Sequence, residues 1–410
     1  MMVNLQVHGP LVEAQVMADF SKPKLLWTLP FEGAWPMSLA FAGEDRIVAG
    51  NRDGSLFVWN LPVEPPAESD APPVKGEGHP LWPSRQLSGH SNCVSRLVAL
   101  RDGSQVVSAS YDRSVRIWSL DGEVKEKSEA VLDIDQRKAE AKKKRTDEPL
   151  NRPGVEVEVQ TEATVLEGHK DWVMSLGISG DEKRIVSGDG NSQVLVHELG
   201  SGKAAAKWQG YPWTWAVSAA LSADGKTALI SEYRSSRDDF DRPAPAFRLW
   251  DVETQKTKLD LLQIQFPKMK AKEYSYGSAQ VWRKFVARGL LGATFSPDGK
   301  LVAAGQSGET GTGQVHLFKT DDGKLLKTIG GHRYGVTDVK FTADAGHVVS
   351  VGRDTNVRIT KIDDGKEVAV LGKSRGGQFK DWLSAVALSP SEKYLAATDI
   401  AGKVHVWSLT

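Results

Sequence analysis

The chain has 410 residues, more than the roughly 250–300 that one ordinary hydrophobic core sustains, so it is either several domains or a repeat architecture that grows without deepening. Its 52 basic residues balance 52 acidic ones, which argues against a dedicated nucleic-acid binder or a polybasic membrane protein. Cys93 is the only cysteine, which excludes a disulfide framework and any zinc site that needs two or more thiolates.

In chain order, residues 1–23 read as an N-terminal extension. They hold no Lys or Arg before Lys22 and include Pro10, Glu13 and Asp19, so no secretory signal is expected. No apolar run approaches ~18 residues, so no helix is expected to span a membrane. From residue 24 onward, short β-branched and aromatic runs alternate with Asp-Gly, Pro-Asp-Gly and Gly-Asn turn signals. The segment Leu291 to Gln306 reads strand, turn, strand, with Pro297-Asp298-Gly299 presetting the turn. Seven three-strand cassettes align, near 35–60, 93–120, 172–199, 215–252, 289–319, 335–362 and 382–409. They end at Trp59, Trp118, His197, Trp250, Phe318, Thr360 and Trp407.

Four insertions lengthen the period. Residues 61–85 are Pro-rich and are expected to form an extended loop. Residues 121–162 are expected to form a solvated helix or flexible loop; the alternative is a basic docking tail at 137–145. Residues 232–246 interrupt cassette four. Residues 263–288 precede cassette five and interleave Lys268, Lys270, Lys272, Arg283, Lys284 and Arg288 with Phe266, Tyr274, Tyr276, Trp282 and Phe285. This last pair reads either as a packed elaboration of one rim or as a ledge for an acidic or aromatic partner.

The cassettes resemble the WD-repeat family. Gly89-His90, Gly168-His169 and Gly331-His332 match its Gly-His element, and Asp53, Asp112 and Asp354 its tight-turn aspartate. Trp59, Trp118, Trp250 and Trp407 match its strand-terminal Trp, and the shortest cassette spacing matches its ~40–45-residue period. The resemblance covers roughly residues 24–410 and implies an all-β fold, a single seven-bladed β-propeller of four-stranded blades. It also implies a hydrogen-bonded network in each complete blade. His90, Ser108 (or Ser110), Asp112 and Trp118 supply it in cassette two. His332, Ser350 and Asp354 supply it in cassette six, with Thr360 replacing Trp. In cassette three His169 is present, but Asn191 and His197 stand where Asp and Trp belong. Each cassette supplies three strands and the following segment a fourth, so the last blade lacks one. The N-terminal strand, about 24–29, is expected to close the ring on the C-terminal strands.

The residue before each innermost strand reads Trp35, Cys93, Trp172, Trp215, Gly289, Gly335 and Trp382. This column is expected to ring the channel mouth. The rings could pack under the preceding loops; as a group they form the kind of surface that binds a peptide, a sugar face or a cation. Trp35, Trp172, Trp215 and Trp382, with Tyr334, Arg288, Arg234, Tyr274, Tyr276 and Trp282, are therefore the candidate partner-binding residues. No motif indicates chemistry. The histidines show no metal-ligand spacing, Gly372-Lys373-Ser374 and the Gly-rich 308–313 lack the rest of a phosphate-binding loop, and Asp238, Asp239 and Asp241 are flanked by arginines. The expectation is a non-catalytic cytoplasmic scaffold or adaptor, a monomer, binding a protein or peptide through its top rim. It is expected to use no cofactor or metal and to bind neither nucleic acid nor membrane. The alternative is a propeller enzyme or carbohydrate-binding lectin using the same mouth.

Overall fold

The computed structural model describes residues 18–30, 35–67, 70, 72, 76–130, 155–210, 214–234, 247–265, 290–306, 313–372 and 382–410. Antiparallel strands form seven sheets: five of four strands, one of five and one of six. They are the seven blades of a β-propeller. The one helix among the described residues, Leu261–Gln265, is short; Leu261 and Leu262 enter the core shared by blades four and five.

There is no single core. The buried side chains fall into seven clusters, each drawing on two neighbouring blades; Val94, Leu97 and Trp118 of blade two, for example, meet Val48, Leu56 and Val58 of blade one. A blade therefore buries both faces, which is why its strands read as continuous apolar runs. A chain longer than one core can serve becomes a ring of thin ones. Trp59, Trp118 and Trp250 are among the most fully buried side chains.

The ring closes through its termini. Strand Lys24–Pro30 pairs antiparallel with Lys403–Ser408, Lys24 facing Ser408 and Pro30 facing Lys403. Trp27 and Leu29 are buried in the seam between blades seven and one. Of the expected extension, Phe20 is buried in the seam between blades six and seven, its ring 5.1 Å from that of His347 and tilted to it.

All seven innermost strands carry a register irregularity close to their start, between Pro36 and Ser38, Val94 and Arg96, and equivalent positions. A bulge turns one residue out of the ladder, and hydroxyl side chains at or just after these bulges tie neighbouring blades together. Ser38 donates to the Val94 carbonyl (3.0 Å), Ser95 to Val173 (2.6 Å), Ser175 to Ala216 (2.9 Å), Thr337 to Leu383 (2.5 Å) and Ser384 to Pro36 (2.5 Å). Between blades four and five the Ala293 N–H donates to the Ser218 hydroxyl at 2.8 Å. Close approach between blades requires Gly305, where a Cβ would stand 2.4 Å from Val336 Cγ1.

The structure corrects the reading of two insertions. Residues 61–85 are not wholly loop: His79–Pro80 run parallel to Trp27–Thr28 and add a fifth strand to blade seven. Residues 121–162 contain no helix among the described residues. Strands Glu126–Ala130 and Val155–Gln160 form a hairpin whose second strand lies parallel to Arg85–Leu87, giving blade one six strands. Each of these insertions leaves its own blade and extends the outer edge of the blade before it. The basic run 137–145 lies outside the described residues.

Candidate functional site

The antiparallel order places the start of each innermost strand beside the end of the second strand, on the upper rim. A backbone hydrogen bond ties the two. The N–H of Arg52 donates to the Trp35 carbonyl, Tyr111 to Cys93, Gly190 to Trp172, Arg353 to Gly335 and Ile400 to Trp382, at 2.9–3.1 Å. In blade four Trp215 pairs with Tyr233 across the strands. Each described mouth residue therefore has a fixed neighbour, and that neighbour settles what the ring touches.

Trp35 is 44% exposed, with the Arg52 guanidinium 4.8 Å from its ring centre. Trp172 is 48% exposed and stacks on Tyr111 of the preceding blade. Trp215 is half-buried and meets Tyr233 edge-on at 5.7 Å. Trp382, also half-buried, lies under Arg353 of the preceding blade at 4.0 Å. Tyr334 carries Arg333 at 5.4 Å. Where the mouth residue is small, Cys93 or Gly335, the turn residue beside it is large and leans onto the next blade's indole. The column is thus part packing and part exposed surface. Arg288, Tyr274, Tyr276 and Trp282 lie outside the described residues, as does the Arg234 side chain. Arg52, Tyr111 and Arg353, each the residue after a second strand, and Tyr233 within one, are not singled out by the sequence motifs; an alignment of the second-strand ends brings them into one column.

Behind the rim, polar side chains anchor the turns. His90 meets Asp112 (2.7 Å) through Nδ1 and Ser108 (2.7 Å) through Nε2, and the Trp118 indole donates to Ser108 at 2.8 Å. His332 makes the same contacts with Asp354 and Ser350, both at 2.9 Å. Blade three differs from expectation. His169 contacts Ser187 at 2.7 Å and Asp189 at 3.0 Å, so the carboxylate comes from the end of the strand, not from position 191. Asp189 also accepts from the N–H groups of Asn191 and Gln193 at 2.9 Å. The same place in the register holds buried Asn51, Ser110, Glu232, Gln306 and Asp399. Asn51 and Asp399 likewise accept turn N–H groups.

Burial opposes charge on Asp354, but His332 and the Arg333 N–H overcome it and hold the carboxyl at about 2. Burial is likewise overcome at Asp112, held well below the usual range by His90 and Ser114. Burial lowers the His90 ring more than Asp112 raises it. Burial also pushes the Cys93 thiol up to about 11, which leaves it unreactive at neutral pH.

Two cavities bear on function. In the central channel a pocket of about 50 Å³ lies among Ser38, Arg96, Ser175, Ser218, Asp338 and Lys340, room for waters. A larger space of about 510 Å³ lies under the added hairpin on blade one, but its charges pair with one another: Arg46 with Asp121, Arg85 with Glu158 and Lys127 with Glu156, at 2.6–3.2 Å. Among the described residues no three His, Cys, Asp or Glu side chains gather as metal ligands, and no helix is long and apolar enough to cross a membrane.

Seven blades, a ring closed by both termini and a His–Ser–Asp network define a WD-repeat β-propeller. The family described as WD domain, G-beta repeat matches residues 81–119, 160–198 and 323–360, the three blades that carry the network. The chain is similar to a small ribosomal subunit protein RACK1 of Neurospora crassa, 36% identical over 95 residues, 23% of this chain and 26% of the relative. It is 31% identical over 117 residues to autophagy-related protein 16 of Arabidopsis thaliana, 28% of this chain and 22% of that one. A ribosome biogenesis protein WDR12 homolog of Brugia malayi is 28% identical over 132 residues, 32% of this chain and 25% of that one. The chain thus spans about a quarter of the length of these relatives.

Proposed function

We propose that the protein is a non-catalytic scaffold or adaptor that binds a protein or peptide through its upper rim. The observation that carries this reading is the exposure of Trp35, beside Arg52, and of Trp172, stacked on Tyr111, on a face otherwise built from rigid turns. Large, half-exposed aromatics and arginines on a rigid frame are what interface hot spots consist of. Relatives named for the ribosomal subunit, ribosome biogenesis and autophagy fit a molecule that works by assembly, and a cytoplasmic location belongs to the same proposal. The enzyme or lectin alternative gains no support from the small pocket in the channel.

Affinity capture from native lysate tests the reading, comparing the wild-type chain with W35A/W172A. The double variant is expected to keep its melting transition and lose a defined set of captured proteins. Recovery of the same set at the same yield would remove the upper rim from consideration.

A further inference from the structure

We propose that the partner segment is an acidic peptide, held by an arginine arc on the upper rim of blades six, seven, one and two. This rests on the scaffold reading above and adds the chemistry of the partner.

The arginines of this chain divide by their partners. Arg46, Arg85, Arg101, Arg184, Arg248 and Arg358 each reach an Asp or Glu carboxylate. Among the described residues Arg52, Arg96, Arg113, Arg116 and Arg333 reach none; Arg116 instead donates to the Ser114 hydroxyl and lies by the Trp118 ring, and the other four stand on or just inside one arc of the rim. Arg52 and Arg113 occupy the turns after the second strands of blades one and two, and both are exposed. Arg333, also exposed, immediately precedes Tyr334 at the mouth of blade six. Arg96 points into the channel between them, its guanidinium 3.5 Å from the Thr337 carbonyl of blade six. The acids on the same arc do not cancel these charges. Asp112 and Asp354 are engaged by their histidines, Asp399 by the Ala401 N–H, and Asp338 in the channel by Lys340 and the Val386 N–H; Asp53 is exposed.

The stacking explains the choice of ligand sign. Arg52 lies on Trp35 and Arg333 on Tyr334, so the faces that would attract a ligand cation are covered by this chain's own guanidinium groups. A guanidinium beside a ring keeps a fork of N–H donors that can meet a carboxylate through two hydrogen bonds. The arc therefore disfavours cations and favours carboxylates, with the remaining surface of Trp35 and Trp172 available to apolar residues between them. The arginines come from three blades, one, two and six, of a chain with zero net charge, which favours a peptide over a polyphosphate backbone.

Arg113 adds an independent sign. Its φ is +74°, a left-handed conformation that strains any residue with a Cβ. The equivalent turn positions of blades three and six hold Ser192 and Thr355, also at positive φ, so what sets blade two apart is the exposed guanidinium.

The test pans a randomised dodecapeptide library against the immobilised full chain, wild type and R52E/R113E/R333E, with melting curves for both and R52Q/R333Q as a second variant should the first fail to fold. Peptides enriched on wild type are expected to be net negative, to weaken as salt rises, and to lose about tenfold or more in affinity on either variant. Enriched peptides with the charge distribution of the starting pool would overturn the acidic preference while leaving the scaffold reading in place. No enrichment at all would count against both. A single-stranded RNA retained more tightly than any peptide, and released by the charge reversal, would replace the peptide with a nucleic acid.

Discussion

Tyr111 of blade two lies face to face with Trp172 of blade three, 5.1 Å between ring centres and 12° from parallel. The insertion beginning at residue 121 lies between them in the sequence, yet they form one surface. The contact joins two blades at the rim where no strand pairing crosses the seam, and it leaves the indole half in solvent. Stacked aromatic pairs contribute about 0.5–1.5 kcal/mol beyond their burial. Tyr111→Ala is therefore expected to lower stability by about 1–2 kcal/mol in denaturant unfolding. Tyr111→Phe should stay near wild type, since the stack needs the ring and not the hydroxyl. A neutral Tyr111→Ala would mean that the seam is held entirely by the core beneath it.

Blade three allows a comparison between two polar neighbours. Asp189 is fully buried and accepts from a histidine and two turn N–H groups, whereas the exposed Asn191 contributes backbone alone to that network. Removing a buried acceptor leaves its donors unsatisfied, at about 1–3 kcal/mol. Asp189→Ala is expected to cost about 2–3 kcal/mol and Asn191→Ala less than about 0.5 kcal/mol by the same reasoning. Equal costs would place the anchoring group at position 191 after all.

Deleting residues 1–30 removes the strand that closes the ring. The deletion exposes the edge of Lys403–Ser408 and the cavity left by Trp27 and Leu29. A ring of shared seams has no independent last blade, so the truncated chain is expected to melt at least about 10 °C lower or to aggregate. Melting like the full chain would show that closure adds no stability.

The blade count, the closing strand and the His90 and His332 networks were all legible because each rests on local pattern: turn residues, strand periodicity and fixed spacing. What was not legible depends on which blade a segment visits. His79–Pro80 reads as loop because two residues carry no periodicity, and its pairing with Trp27–Thr28 is a long-range event. The hairpin at 126–130 and 155–160 interrupts a charged stretch whose composition suggests solvent, yet alternate residues such as Val157 and Val159 are buried. At the rim, the Trp column was visible, but its partners Tyr111 and Arg353 lie on the preceding blade. Asp189 was passed over because the family spacing points to residue 191, two places later, while geometry needs only a carboxylate within reach of His169.

Acid should loosen the blades in two stages. The folded value of His90 lies below its ordinary 6.5, lowered first by burial, so its contribution is complete above about pH 6.5 and declines as pH falls below it. Asp112 and Asp354 are held below their ordinary 3.8, Asp354 at about 2, by their histidines and by N–H and O–H donors that outweigh burial. Their contributions are present above about pH 4 and disappear as pH falls through the folded values. Denaturant midpoints are expected to fall modestly from pH 7 to 5 and steeply below 4. Asp354→Asn should be less stable at pH 7 and lose less between pH 4 and 2. An unchanged slope in that variant would count against this account of the acid limb.

Arg113 separates stability from binding. The residue sits at the turn position that in blade one is Gly54, with φ of +97°, and in blade seven Gly402, with φ of +92°. At Gly54 a Cβ would stand 2.5 Å from the His90 carbonyl oxygen, so there glycine is required by space as well as by dihedral. Blade two meets only the dihedral constraint, which a non-glycine residue satisfies at about 1 kcal/mol. Arg113→Gly relieves that strain while making the unfolded chain more flexible, and the first effect is the larger where φ is positive. The variant is expected to be more stable than wild type by about 0.5–1 kcal/mol and to retain fewer acidic peptides. Higher stability with unchanged retention would make Arg113 a bystander on the arc. Lower stability would show that its side chain holds the turn, and the strain would then have a structural cause.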